Sequence, residues 1–524
     1  MPKSFVKLAF IVGIVYYLIV VKRINIELEK SKISPWVFGF VLLFSVVSSL
    51  MFWFRKMMQG ATFESAMFTV RSGVSGITSG MTMDAVRDIL LISLICMGFA
   101  LTIIYLISKI KINGHRLGRT HLQIMIVIML FLSIFLQDSV YYISSYRTYA
   151  KLANEPSNFI AENYVNPKDA NITFPDKKRN LIYIVLESME NTFADNKSGG
   201  ISNTNLIPNL TNLANKNVNF SNNDKLGGSL FRIGEAEMPG VWWTTASLVS
   251  QTAGLPLKQF DSMKEYKDRT PTILSGAWTL TDILAENGYN QVFMCGSYAG
   301  FGGRDKYFRQ HGNVEIKDLV TAEADGIIPE GYNNDFWGME DSKLFEYAKK
   351  ELKRLAEADG TFALTLLTVD THFPDGWVDE GSNARFKTKY ENAIYNSDRL
   401  VGEFVRWLGA QGFYKNTTIV LVGDHPSMSE FANHKGEKNP EHIRATYNCL
   451  INSVAKPANS KYRMFSNLDM FPTILSAIGA AYDGNGLGLG IDLFSNEHTL
   501  IEQFGFEYVA NELHKASKFY DKLK

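Results

Sequence analysis

The sequence predicts an α-helical transmembrane module followed by an α/β domain, whose mostly parallel sheet carries helices on both faces. Three observations predict it. Nearly all long apolar runs lie before residue 141 of the 524. Beyond residue 180, β-prone runs such as Leu181–Leu186 alternate with segments of helical spacing such as Tyr390–Leu408, the order that builds a parallel sheet covered on both sides. Several of those runs lead into residues that carry chemistry, namely Glu187, His372, and Asp424 with His425, where open α/β sheets place their sites.

Four stretches are candidate spans: Leu8–Val21, Trp36–Phe54, Ile89–Ile107 and Leu122–Leu136. A helix crossing the hydrocarbon core needs about 20 mostly apolar residues, which the second and third supply directly. The first is short, with Lys7, Lys22 and Arg23 placed to reach the headgroups, and no small-residue cleavage site follows it, so it reads as an uncleaved span. The fourth extends through Gln137. The short loops Val21–Ser34 and Lys109–Thr120 are dense in basic residues (Lys22, Arg23, Lys30 and Lys32; Lys109, Lys111, Arg116 and Arg119), whereas the longer Arg55–Arg87 is sparse in them. Positive-inside bias then places both short loops in the cytoplasm, and the N-terminus and everything after residue 140 outside. Gln59–Asp84, rich in Gly, Ser, Thr and Met, reads as a loop. The expected division is a four-span module at 1–140, a juxtamembrane linker at 141–179, and an extracytoplasmic catalytic domain at 180–524.

Zero net charge and the lack of a lysine- and arginine-rich run exclude nucleic acid as a partner class, and no obligate protein partner is evident. Three cysteines cannot build a disulfide framework; Cys96 falls in an apolar run, and Cys295 and Cys449 read as small core residues.

Within the domain, Leu181–Leu186 is a continuous apolar strand of the kind buried on both faces. Pro208 opens a short helix with Leu210, Leu213 and Ala214 at helical spacing. Thr281–Asn287 is a helix stopped by Gly288, followed by the strand Gln291–Met294. Phe362–Val369 is a second buried strand, and Tyr390–Leu408 the clearest amphipathic helix. Thr418–Val422 is the next strand, and Pro472 starts a final apolar helix ending at Gly479. No Walker-type or Rossmann glycine fingerprint follows a strand.

Each chemical residue has a bland reading beside the functional one. Glu187 is either a metal ligand or a helix cap. Asp424 and His425 offer an oxygen and an imidazole suited to a borderline divalent ion, or form a structural turn. Thr244 and Thr245 are candidates for a metal-activated nucleophile or for a helix N-cap, a place that also favours a phosphate anion. His372 is a phosphate contact or acid–base group, or a satisfied structural histidine. Arg304, in Gly-Phe-Gly-Gly-Arg-Asp, either clamps a phosphate or pairs with Asp305 at the surface.

Taken in order, Leu186-Glu187-Ser188-Met189-Glu190, Trp243-Thr244-Thr245-Ala246 through Gly254-Leu255-Pro256, Leu367-Thr368-Val369-Asp370-Thr371-His372-Phe373-Pro374-Asp375-Gly376, and Asp424-His425 resemble the alkaline phosphatase/sulfatase superfamily. The resemblance is to its lipoteichoic acid synthase–phosphoglycerol transferase branch, and covers roughly 180–495. It implies that Glu187, Thr244, Asp424 and His425 bind one divalent cation, manganese by family expectation with zinc or magnesium as alternatives, and that Thr244 is the nucleophile. Arg304 and His372 match substrate-phosphate contacts, and Ser429 falls where the synthases have a further one. Gly302 and Ser297 replace an aromatic and an acidic residue of the synthases, which argues against glycerophosphate polymerisation. The implied activity is transfer of glycerophosphate from phosphatidylglycerol to a glycan hydroxyl of the periplasmic glucan type, by a multi-pass protein of the bacterial inner membrane. The competing expectations are a phosphoethanolamine transferase with a lipopolysaccharide or glycan acceptor, and a non-catalytic lipid-binding scaffold. No formylglycine motif of the sulfatases is present.

Overall fold

The structure, a computed structural model, describes residues 35–57, 79–108 and 150–524 apart from 259–271, 333–335 and 380–383, with short pieces at 26–28, 110–112, 115–116, 124–125 and 128. It divides into two compact units, Met1–Met57 with Thr82–Ser145, and Met58–Met81 with Tyr146–Lys524.

In the first unit, helices α1 (Pro35–Met57) and α2 (Ser79–Ser108) hold the second and third expected spans. Both are long and apolar enough to cross a membrane, over Pro35–Trp53 and Ala85–Leu106. Trp36, Phe38, Leu43, Leu90, Leu94 and Phe99 point outward, as on a helix solvated by lipid rather than water. Val37 and Val41 at the start of α1 cluster with Ile104 near the end of α2, and Ser93 Oγ donates to Ser49 Oγ at 2.9 Å, the small polar contact that joins helices in an apolar solvent. The expectation of a loop over Gln59–Asp84 is corrected at its end, since Ser79–Asp84 already belong to α2. Strand Ile26–Leu28 pairs antiparallel with Ile110–Ile112, Ile26 opposite Ile112, so the two basic loops are hydrogen-bonded to each other. Leu8–Val21 lies outside the described residues, as does nearly all of Leu122–Leu136.

The second unit is built on a seven-stranded sheet. Its strands are β1 (Asn180–Leu186), β2 (Gly228–Leu230), β3 (Tyr289–Cys295), β4 (Glu315–Lys317), β5 (Thr361–Leu367), β6 (Thr417–Gly423) and β7 (Ala445–Ile451), in the spatial order β2-β7-β6-β1-β5-β3-β4. From β6 to β4 all neighbours are parallel, and β7 and β2 close one edge antiparallel. Every residue of β1 is buried, and its side chains divide by the strand's two-residue period. Leu181, Tyr183 and Val185 join one core, which also holds residues of helices α4 (Thr244–Ala253), α5 (Leu280–Glu286), α6 (Arg304–Gln310) and α10 (Met470–Ala477). Ile182, Ile184 and Leu186 join the other, with helices α3 (Pro208–Lys216), α7 (Asp341–Glu357), α8 (Lys389–Gly409) and Ala432 of α9 (Glu430–Lys438).

Local chemistry sets the helix ends. Thr388 and Glu391 form a reciprocal capping box at the start of α8, and Gly254 ends α4 in a left-handed conformation at φ 62°. Helix α3 has Pro208 in its first turn and no cap of its own. Its free amides at Asn209 and Leu210 donate instead to Asp398 of α8, at 3.0 and 2.8 Å. Cys295 and Cys449 are buried free thiols.

Candidate active site

Strand register assembles the site. Leu186 of β1 lies opposite Gly423 of β6, Val185 lies opposite Leu367 of β5, and Leu367 opposite Cys295 of β3. Four parallel strands therefore end almost level, and the residues that follow them share one edge of the sheet: Glu187, Asp424 with His425, the turn 368–372, and Ser297. Thr244 arrives differently, as the first helical residue of α4, with Trp243 as its cap.

Glu187, Asp424 and His425 are buried, with one ligand atom from each lying within 4.8 Å of the others. Asp424 Oδ1 accepts the amides of Ser188 and His425, both at 2.7 Å. Its Oδ2 is buried without a hydrogen-bond partner and lies 3.3 Å from His425 Nε2. His425 Nδ1 lies 3.1 Å from the carbonyl of Pro426, and the N–H donated there leaves Nε2 with its lone pair facing Asp424 Oδ2 and, at 3.8 Å, Glu187 Oε1. Three electron-rich atoms thus converge on one point, an arrangement that calls for a cation.

The protonation equilibria agree. Burial, reinforced by the charge of Glu187, pushes Asp424 up to about 7. Burial disfavours protonated His425, yet Asp424 and Glu187 outweigh it and raise its pKa. Burial likewise opposes ionised Glu187, and the two histidines outweigh that to hold its pKa below the ordinary value. Two carboxylates, an imidazole and a neighbouring hydroxyl fit a divalent metal ion. Thr244 Oγ donates to Glu187 Oε2 at 3.2 Å. Thr244 is half-buried, whereas Thr245 is only 3 % exposed and turned into the core, so a substrate has access to the first hydroxyl and not the second.

A second group of side chains flanks this cluster. His372 Nδ1 lies 2.8 Å from the carbonyl of Phe373, which fixes the N–H there and leaves Nε2 as an acceptor. Burial lowers its pKa against the opposing charge of Glu187, so the ring is neutral at pH 7. The imidazole packs between Trp337 and Phe373, with ring centroids 4.3 and 4.8 Å away. Arg304 does not pair with Asp305. Its guanidinium donates to the carbonyls of Phe301 and Tyr298 and to Ser297 Oγ, at 3.0, 2.7 and 3.0 Å, and no carboxylate reaches it among the described residues. Gly302 and Gly303, at φ 68° and 74°, make the left-handed turn that puts Arg304 there. A buried guanidinium held only by neutral acceptors keeps its charge for an anion.

Ser429 is 1 % exposed and caps α9, accepting the amide of Ala432 at 3.2 Å; its hydroxyl also accepts from Ser427 Oγ at 2.9 Å. Sequence reasoning missed the residues that hold Glu187, Asp424 and His425 in place. Arg444 makes a two-pronged bond to buried Glu190 at 2.9 and 2.8 Å and donates to Ser427 O at 2.6 Å, bracing the segment after His425. Ser188 adopts φ 52° and donates to Glu187 Oε1 at 2.7 Å. Only the tripeptide Leu-Glu-Ser hinted at the latter, and nothing near Arg444 signals its role.

Known proteins give the site a context. The Sulfatase family model matches residues 240–480. Phosphoglycerol transferase I of Salmonella paratyphi B is 30% identical over 274 residues, which are 50% of this chain and 32% of that protein, so the match covers about a third of the relative's length. Among solved structures, lipoteichoic acid synthase LtaP from Listeria monocytogenes superposes with TM-score 0.46 at 17% identity, covering 64% of this chain and 80% of that one. The integral membrane lipooligosaccharide phosphoethanolamine transferase A from Neisseria meningitidis gives 0.45 at 14% identity, over 90% and 87% of the two chains. Residues 240–480, which supply Thr244, Arg304, His372, Asp424 and His425, thus match the Sulfatase family model in a chain that over half its length is similar to phosphoglycerol transferase I.

Proposed function

We propose that this protein is a membrane-anchored phosphoglycerol transferase that moves glycerophosphate from phosphatidylglycerol to a hydroxyl of an extracytoplasmic glycan, with Thr244 as nucleophile. The observation that carries the reading is the approach of the accessible Thr244 hydroxyl to Glu187, inside the convergence of Glu187, Asp424 and His425. Those four residues would hold one divalent cation, for which the resemblance favours manganese over zinc or magnesium. When bound, it supplies a Lewis acid that lowers the pKa of the threonine hydroxyl and offsets charge on phosphoryl oxygens.

The chain's own residues do the rest. The Arg304 guanidinium orients the phosphodiester, and Ser429 supplies the further substrate contact that the resemblance implies. Thr244 Oγ gives up its proton and bonds to phosphorus as the bond to the diacylglycerol oxygen breaks, and diacylglycerol leaves carrying a proton. The result is a glycerophospho-threonine. The glycan hydroxyl then gives its proton to His372 Nε2 and bonds to phosphorus, the bond to Thr244 Oγ breaks, and the proton held on His372 is returned to Thr244 Oγ to restore the free hydroxyl. The neutral state of His372 suits it to accept that proton. The same proposal divides the chain into a membrane module at 1–140, a linker at 141–179 and a catalytic domain at 180–524, with the domain on the periplasmic side of the inner membrane. Anchoring keeps the site near a bilayer donor and raises its effective concentration.

Peptide mapping after incubation with phosphatidylglycerol and manganese tests the reading. A glycerophosphate adduct on Thr244 is expected. An adduct on Thr245, or one formed only from phosphatidylethanolamine, would overturn the nucleophile or the donor respectively.

A further inference from the structure

We infer that Asp341 and Asp370 form a buried carboxyl pair holding a single proton, on Asp370, and that this pair positions the turn bearing His372 without adding a second negative charge there. The inference about the pair stands on its geometry; its benefit for an anionic substrate rests on the proposed function.

The two residues clasp each other. Asp341, the first residue of α7, accepts the amide of Val369 at Oδ1 at 2.8 Å and the amide of Asp370 at Oδ2 at 3.2 Å. Asp370 Oδ1 accepts the amide of Asp341 at 3.1 Å. Both side chains are 0 % exposed. The turn that leaves β5 is thereby tied to a helix start, and His372 is two residues further along it. Thr371 continues the clasp by donating from its hydroxyl to the backbone carbonyl of Glu187.

The hydrogen bonds distinguish the partners. Both oxygens of Asp341 receive N–H donors, as an ionised carboxylate requires. Asp370 has one oxygen satisfied, and its Oδ2 is buried with no partner. A buried charge without a donor is far more costly than a buried neutral oxygen. The charged groups around the pair do not alter this. Asp379 acts unfavourably on both anions and Glu187 on Asp341, while the ammonium of Lys343 is engaged by Glu340 and lies 3.1 Å from Tyr332 Oη. Burial, with the charge of Asp341 beside it, accordingly holds the pKa of Asp370 above the carboxylate range.

Asparagine mimics a protonated carboxyl, with one acceptor and one donor, but not a carboxylate accepting at both oxygens. Asp370→Asn is therefore expected to lower kcat/KM by no more than about threefold. Asp341→Asn turns an N–H donor towards another N–H, and is expected to lower kcat by about tenfold or more with KM nearly unchanged, because His372 is displaced rather than the lipid lost. Infrared difference spectra of the full-length protein at neutral pH supply a readout that needs neither turnover nor the Asp341 variant. A protonated-carboxyl carbonyl band should be present in the wild type and missing from Asp370→Asn. Persistence of that band in Asp370→Asn, its absence from the wild type, or equal damage to activity from the two asparagine variants would overturn the inference. An intact infrared result with no transfer from phosphatidylglycerol would instead count against the proposed function alone.

Discussion

Ser247 Oγ donates to the backbone carbonyl of Asp424 at 2.6 Å, and Ser247 lies one helical turn along α4 from Thr244. The helix that presents the proposed nucleophile is thus bonded directly to a residue of the proposed metal site. Asn467 donates to the same carbonyl at 2.9 Å and to Ser247 Oγ at 2.8 Å, which makes the joint a triangle. Ser247→Ala should cost about 1–3 kcal/mol of stability by leaving buried groups under-satisfied, and should lower kcat about fivefold or more by loosening Thr244. Urea unfolding and steady-state kinetics on one preparation check both effects.

Ser188 offers a test of the metal site that leaves all four proposed ligands in place. Its hydroxyl orients Glu187, and such outer partners typically contribute about 10–100-fold to metal affinity. Ser188→Ala should weaken manganese binding by that order in a calorimetric titration. Ser188→Gly should weaken it similarly yet be the more stable variant, because glycine adopts the φ of 52° without strain.

Removing the divalent ion should abolish transfer, and restoring it should recover activity. Manganese dependence of the Thr244 adduct, followed by mass spectrometry after chelation, is the measurement. Adduct formation that is insensitive to exhaustive chelation would contradict the proposed ligand set.

The pair Glu190–Arg444 should be one of the costliest to break. Glu190 is fully buried, and losing the guanidinium leaves its charge uncompensated, so Arg444→Ala should destabilise the domain by about 3–5 kcal/mol. Arg444→Lys should recover only part of that, since an ammonium cannot reproduce the two parallel bonds. Thermal melts in saturating metal separate this effect from loss of the ion.

His442 gives a pH prediction. Burial, with the neighbouring charge of Arg444, lowers its pKa from 6.5 to about 4. A base with a depressed folded pKa binds fewer protons in the native state than when unfolded. Its contribution is therefore present above pH 6.5 and is lost as pH falls towards 4. Partial exposure limits the effect to about 2 kcal/mol. His442→Gln should flatten the fall in stability between neutral pH and about 4.5 relative to the wild type, as read from denaturant midpoints.

The sheet and the groups at its edge were legible because buried parallel strands read as unbroken apolar runs. Leu181–Leu186, Gln291–Met294 and Thr418–Val422 fall inside β1, β3 and β6, and Tyr390–Leu408 inside α8. The expected strand Phe362–Val369 overran β5 by two residues. Val369 is apolar enough to continue a strand, but its amide is taken by Asp341, and side-chain acceptors from another element leave no trace in local pattern. Strand β7 was missed for a related reason. It carries Asn448 in its buried interior, where the side chain holds the amide and carbonyl of Phe220 at 2.9 and 2.7 Å; a polar residue there makes the run look like a loop. Glu187, Asp424 and His425 were legible as strand-end residues, whereas Asp341, Arg444 and Asn467 act through partners remote in sequence.

The order of the strands has one more consequence. The first strand of the domain to be synthesised, β1, lies between β5 and β6, so the emerging chain carries Leu-Ile-Tyr-Ile-Val-Leu with both flanks bare until much later segments exist. An apolar strand with open flanks is an invitation to pair with another copy. The segment that ends this hazard is β6, and Asp424 and His425 come immediately behind it. The same late event that closes the second flank of β1 also brings in Asp424 and His425, two of the four proposed ligands.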